Sequence, residues 1–252
     1  MSAPLLEVRG LGHSLGGRMV LAGVDLSVRR GEFVALLGPS GAGKTTLIKC
    51  ITGLMRPERG EVRIAGAELS TLQGRERRRV AVVFQQFNLV RRLSALDNVL
   101  AGRLGHVPAW RGWLRQFERA DRRLALACLD RVGLLAQAGQ RADTLSGGQQ
   151  QRVAIARALA QQPELIVADE PVASLDPSAS AGILELLQAI CRDDGVAVVC
   201  SLHQLELAQQ FAHRLVGLAA GRVQFDAASA SIAADTTTAL YQSVHPRGLA
   251  PT

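Results

Sequence analysis

Lysine is almost missing from this chain. Of 29 lysine-plus-arginine positions only Lys44 and Lys49 are lysine. Aromatic residues are also scarce, at 4%. None is interleaved as a stacking platform with the arginine clusters at 75–79 and 91–92, so a nucleic-acid partner is not expected. No run approaches the ~18 apolar residues that a bilayer-spanning helix needs. The first residues lack a basic stretch followed by an apolar one, so no secretory signal is expected and the chain is placed in the cytoplasm. Four cysteines occur, Cys50, Cys128, Cys191 and Cys200. None has metal-ligand spacing, and reduced structural thiols are the expectation. Internal repeats, heptads and long linkers are absent as well.

What is present is material for a sizeable core. Apolar residues make up 48% of 252 positions and charged residues 20%. Those proportions exclude global disorder. The net charge of +7 is carried by scattered arginines, with small clusters at 75–79 and 91–92. A solvated basic face is the simplest account of them. Apolar runs at 33–37, 80–84, 165–168 and 196–200 alternate with helical patterns, which predicts a mostly parallel sheet with helices on both faces. Strands are also expected at 5–9, 24–28, 61–64, 215–218 and 222–225, with a loop over 10–17. Between about 90 and 161 no strand pattern is found. Helices are expected there at 95–102, capped by Ser94, at 116–132 and at 148–161, with 103–118 broken by Gly105, Pro108 and Gly112. Further helices are expected at 178–192 and 204–212.

One stretch organises the rest. Gly38-Pro39-Ser40-Gly41-Ala42-Gly43-Lys44-Thr45-Thr46 follows the strand 33–37 and opens a helix. A strand, a glycine-rich turn and a helix start are the context in which G-x-x-x-x-G-K-[ST] cradles the phosphates of a nucleotide. Backbone N–H groups would line the loop and the helix N-terminus would add positive potential. Lys44 would reach the β- and γ-phosphates, and Thr45 would bind Mg²⁺. A kinase shares this loop, and a plain tight turn is the bland alternative. In a parallel sheet the remaining site residues should stand at the other carboxyl ends. Asp169-Glu170 ends the run 165–168, where Asp169 would hold Mg²⁺ and Glu170 would serve as general base; a solvated acidic turn is the alternative. His203 follows the run 196–200 and could face the γ-phosphate, although a lone histidine is more often structural. Gln85 follows 80–84 and could bind Mg²⁺ or water. Leu145-Ser146-Gly147-Gly148-Gln149 opens the helix 148–161 and makes a second anion-binding helix start. Simple serine capping is its alternative. The two anion sites are over 100 residues apart, and a head-to-tail dimer would place the second over the partner's nucleotide.

These motifs, spread over residues 5–226, resemble the nucleotide-binding subunits of ABC transporters. The resemblance implies a P-loop ATPase core, α/β, with a mixed and mostly parallel sheet, an N-terminal antiparallel β region and an inserted helical subdomain. On that pattern 1–90 and 162–226 form the ATP-binding core, 91–161 the helical subdomain and 227–252 a partly flexible extension. It makes Gly38–Thr45 the Walker A loop, Gln85 the Q-loop glutamine, Ser146–Gln149 the signature, Asp169 the end of Walker B, Glu170 the catalytic glutamate, Ser174-Leu175-Asp176 the D-loop and His203 the switch histidine. The family places an aromatic near position 15 to stack on adenine; this chain has Leu15. Gln85–Leu93, Gly102–Gly105 with Trp110, Gln140–Asp143, Ala168–Asp176 and Ser201–Gln204 further resemble phosphonate importers. The expected cofactors are ATP and Mg²⁺. The expected partners are a second copy of the chain, a membrane permease and, indirectly, a periplasmic binding protein, with the chain peripheral on the cytoplasmic face of the inner membrane. A non-transport ABC ATPase acting in a cytoplasmic complex is the competing expectation; the single cassette and the lack of heptads count against it.

Overall fold

The structure is a computed structural model that describes residues 3–74, 76–232 and 240. The expected loose tail at 243–252 lies outside the described residues. The elements run β1 (Leu6–Leu15), β2 (Arg18–Val28), β3 (Phe33–Leu37), α1 (Lys44–Ile51), β4 (Arg59–Ile64), β5 (Ala67–Glu68) and β6 (Val80–Val83). A helical stretch follows with α2 (Ala95–Ala101), α3 (Ala109–Trp113), α4 (Arg119–Arg131) and α5 (Gly147–Ala160). The chain then completes its sheet with β7 (Leu165–Asp169), α6 (Pro177–Asp194), β8 (Ala197–Ser201), α7 (Leu205–Phe211), β9 (Arg214–Ala219) and β10 (Arg222–Ala228).

Two sheets form. The smaller is antiparallel, in the order β2-β1-β4-β5; the larger runs β10-β9-β3-β8-β7-β6. Within the larger sheet β9, β3, β8, β7 and β6 are parallel, and only the edge strand β10 is antiparallel. Strict alternation along the central strands divides two cores. Phe33, Ala35 and Leu37 face one side with Ile166, Ala168, Val198 and Cys200, against α2, α4, α5, α6 and α7. Val34 and Leu36 face the other with Leu165, Val167, Ala197 and Val199, against α1 and the antiparallel sheet. Burial on both faces explains why these strands read as unbroken apolar runs. The same burial pushes the thiols of Cys50, Cys128 and Cys191 up to about 11, and that of Cys200 higher still, which keeps all four protonated.

Two expectations are corrected. Residues 10–17 are not a loop, because β1 continues to Leu15 and pairs with β2 as a long hairpin. Gly16 and Gly17 take φ of +57° and +79°, the two-residue turn that matches strand twist. Gly10 and the register shifts around it hide the alternation that would have announced the strand. Residues 109–113 are helical although Gly112 lies among them, since Gly112 lets the helix sit close on Leu104. Elsewhere ends move by a few residues: α4 begins at Arg119, and α6 extends from Pro177 to Asp194.

One ion-pair network ties the start of β7 to its surroundings. Glu164 accepts from Arg79 Nε at 2.6 Å and from Arg30. Its burial opposes ionisation, yet the two guanidiniums prevail and hold the carboxyl below its usual range. A depressed carboxyl pKa stabilises the fold above the unfolded-state value and loses that contribution as pH falls through the folded one. Glu164→Gln should therefore lower the melting temperature by roughly 2–6 °C at neutral pH, from about 1–2 kcal/mol of charge-assisted bonding. Thermal melts from neutral to acid pH should show the two chains converging in acid.

Candidate functional site

The loop after β3 is shaped for an anion. Gly38 has φ +152°, and a Cβ there would lie 2.1 Å from Leu218 O. Gly43 has φ +106° and caps α1 with no side-chain hydrogen bond and no acidic residue in the first helical turn. The first N–H groups of α1 are therefore left for an outside acceptor. Ala42 N donates to Pro39 O, closing a tight turn around Ser40 and Gly41, which are exposed. Lys44 is buried and donates from Nζ to Gly38 O at 2.7 Å and Pro39 O at 3.2 Å. Burial lowers its pKa, against the opposing charges of Glu170 and Asp169. Thr45 is exposed and Thr46 buried.

Register brings the acidic pair to this loop. Leu36 pairs with Ser201, and Ser201 pairs with Asp169, across three adjacent parallel strands. Thr45 Oγ1 consequently lies 3.5 Å from Asp169 Oδ1. Glu170 follows β7 in a left-handed conformation, φ +48°, which is strained for any side chain with a Cβ. Its Oε1 accepts from His203 Nε2 at 2.5 Å. Beside them is a cleft of about 80 Å³ lined by Glu170, Leu175, Ser201 and His203 among others. Gln85, exposed, stands two residues beyond Val83, whose register partner is Ala168. Walker-type residues on β3, β6, β7 and β8 thus share one edge of the sheet.

The helix start expected to form a second anion site stands elsewhere. Ser146 caps α5 with a reciprocal capping box, in which Gln149 N donates to Ser146 Oγ at 3.3 Å and Ser146 N to Gln149 Oε1 at 3.0 Å. Cβ atoms built on Gly147 and Gly148 would meet Leu175, Phe87 and Ala179, and no atom of the phosphate loop within 4 Å. Of the D-loop residues, Ser174 is exposed and Asp176 caps α6, its Oδ1 accepting from Ala179 N at 2.9 Å. Leu15 ends β1 at the hairpin tip, 47% exposed. That hairpin reaches the phosphate loop through Gly221, which accepts from Ala22 N at 2.9 Å and donates to Ala42 O at 3.1 Å.

Residues 21–173 match the family model described as ABC transporter. The chain belongs to the ABC transporter family. It is 49% identical, over 94% of its length and 71% of the relative's, to the hypophosphite import ATP-binding protein of Stutzerimonas stutzeri. Identity is 46%, over 94% of the chain and 89% of the relative, with a phosphonates import ATP-binding protein of Rhodopseudomonas palustris. Among solved structures, a dimeric ATP-binding cassette in a post-hydrolysis state bound to ADP and Pi superposes with TM-score 0.75 at 36% identity, covering 89% of this chain and 98% of that one. This ABC protein is an ATPase by family, and its fold is the P-loop cassette expected from its motifs.

Ser201 belongs to the stretch Ser201–Gln204, but nothing in the sequence announces what its hydroxyl does. Ser201 is fully buried; its Oγ donates to Asp169 Oδ1 at 2.8 Å and accepts from Glu170 N at 2.8 Å. A serine ending an apolar run reads as a strand terminus, and only the register shows that it faces the acidic pair. A second missed residue is Arg157 on α5, which donates to Phe87 O at 3.0 Å and to Asn88 O. Burial lowers its pKa, and the two carbonyls provide the acceptors its guanidinium needs. Ser201→Ala leaves Glu170 N and one Asp169 oxygen without that hydroxyl. It should lower unfolding free energy by about 1–3 kcal/mol, read by denaturant titration, because both groups are partly or fully shielded from water.

Proposed function

We infer that this chain is the ATP-hydrolysing subunit of an importer for phosphonates or related phosphorus oxyanions, acting as a head-to-tail homodimer beneath a membrane permease. The observation that carries the reading is the separation of two anion sites in one chain. Gly38–Thr46 lies with Asp169, Glu170 and His203 at the sheet edge, while Ser146–Gln149 packs on Leu175 and Phe87. A second copy can bring its signature to the first copy's nucleotide. The substrate class rests on the relatives' names, and nothing in this subunit need touch the transported molecule.

Within the site each residue has a distinct role. The N–H groups of the loop and α1, with Lys44, hold the phosphates against the sheet edge. Thr45, Asp169 and Gln85 are the oxygen donors for Mg²⁺; their all-oxygen set suits a hard dication. Among the described residues no group of three or more His, Cys, Asp and Glu is assembled for a metal, so Thr45, Asp169 and Gln85 would be the protein's share in holding the ion. Bound Mg²⁺ supplies charge neutralisation at the phosphates. Glu170 accepts the proton of the attacking water, with His203 holding its carboxylate. Leu15 offers an apolar face to the base. The signature and the D-loop residues Ser174, Leu175 and Asp176 lie along the dimer seam.

No helix among the described residues is long and apolar enough to cross a membrane. We place the chain on the cytoplasmic face of the inner membrane, with residues 87–100 towards the permease and the periplasmic binding protein on the far side. The core comprises 1–90 and 162–226, the signature subdomain 91–161, and 227–252 is an extension.

Glu170→Gln should retain ATP binding, accumulate as a dimer on size-exclusion chromatography with ATP, and hydrolyse at least ~10²-fold more slowly. Normal turnover would remove Glu170 from the role of base. Leu15→Tyr should tighten ATP binding about tenfold by adding a stacking ring; calorimetry giving an unchanged affinity would show that residue 15 does not meet the base.

A further inference from the structure

The chain's only two tryptophans are not in its core. Trp113 is 92% exposed and Trp110 58% exposed, both on α3, with Leu104 and Leu114 beside them at 47% and 59%. The patch is built rather than loose. A Cβ on Gly112 would lie 3.0 Å from Leu104 Cδ2, so α3 rests against Leu104. Arg115 leaves the helix in a left-handed conformation, φ +53°, and Gln116 N donates to Arg111 O at 2.8 Å to close the turn. Arg115 is then held by Asp97 Oδ1 at 2.8 Å, in the first turn of α2. A strained residue persists only where its surroundings over-determine it. The Arg111 guanidinium lies over Trp110, 5.3 Å from the ring centre, and pairs with Glu118 at the start of α4.

Charge concentrates in the same segment. Residues 103–123 contain six arginines and two carboxylates, a net +4 out of the chain's +7. Arg119, Arg122 and Arg123 are all exposed on the first turns of α4. Tryptophan with arginine is the composition that settles at the headgroup level of a bilayer, the indole amphipathic and the guanidinium meeting anionic lipid. Charge also discriminates between the available occupants. Cytoplasmic loops of integral membrane proteins are enriched in lysine and arginine and would repel this surface, whereas the cytoplasmic leaflet is negative. We propose that the exposed residues of α3 and the start of α4, Leu104, Trp110, Trp113 and Leu114 with Arg111, Arg119, Arg122 and Arg123, bind the anionic lipid surface of the membrane directly. The choice of the cytoplasmic leaflet rests on the membrane location proposed above, but lipid binding by the chain alone does not.

Because no other tryptophan exists, intrinsic fluorescence reports on this patch without labelling. The full chain is titrated with vesicles of pure phosphatidylcholine and with vesicles of equal parts phosphatidylcholine and phosphatidylglycerol. Emission should shift to the blue and quench less with iodide only in the anionic vesicles, and the shift should reverse in high salt. Trp113→Ala keeps Trp110 as reporter and should weaken binding at least several-fold. Each basic residue near an anionic surface strengthens binding about fivefold, so the combined Arg119→Gln, Arg122→Gln, Arg123→Gln variant should lose about a hundredfold in co-sedimentation. Unchanged emission with anionic vesicles, or undiminished co-sedimentation of both variants with native circular dichroism, overturns the proposal. A blue shift seen only when the vesicles carry the permease also overturns it and assigns the patch to that protein. ATP hydrolysis is measured on the same samples; a chain that hydrolyses ATP but ignores vesicles refutes only the lipid contact, and one that binds vesicles but never hydrolyses ATP refutes only the transport reading.

Discussion

Everything at the site depends on the parallel register of three strands. Leu36, Ser201 and Asp169 stand side by side on β3, β8 and β7, and each strand ends at the same edge. A slip of one residue in any of them would turn its buried side chains to the opposite core and move its terminal residue away from the others. The double-sided apolar burial of β3, β7 and β8 forbids such a slip. The geometry of the proposed site is therefore held by hydrophobic packing several residues away from it. Ser201 then fixes the detail, joining the Asp169 carboxylate to the Glu170 backbone.

Polar side chains buried at this edge serve the loop rather than stability. Lys44 is shielded from water by the loop that it completes, and two backbone carbonyls are its acceptors. An ammonium in that place is less easily kept charged than one in water, which burial and the direction of its pKa shift both express. A chain that otherwise uses arginine for nearly every cation keeps a lysine here, where a small, point-like charge fits under the loop and a planar fork would not.

Sequence patterns exposed the parts of the fold whose signals are local. The phosphate loop, the capped start of α5, the acidic pair after β7 and the central strands were all legible, because glycine spacing, a serine cap and unbroken apolar runs have direct local causes. The hairpin over 6–28 was legible only at its base, 5–9 and 24–28; its continuation through 10–15 was not, since Gly10, Gly12 and the register shifts beside them break the alternation by which strands are read. The helix at 109–113 was hidden by Pro108 and Gly112, which ordinarily end helices but here start one and allow its close approach to Leu104. The roles of Ser201 and Arg157 were beyond reach for a different reason. Their partners lie 31 to 70 positions away, so their meaning exists only once the chain is folded.

Arg157 has a mechanical consequence. It sits in the last turn of α5 and is bonded to the carbonyls of Phe87 and Asn88, while Ser146 caps the other end of the same helix, ahead of Gly147 and Gly148. An α-helix of 14 residues is stiff along its axis. The capped start of α5 and the strap after Gln85 are therefore held at a fixed spacing along that axis. One unbroken helix thus connects the Ser146 cap with the segment after Gln85, the far end being fastened by a guanidinium on two backbone carbonyls.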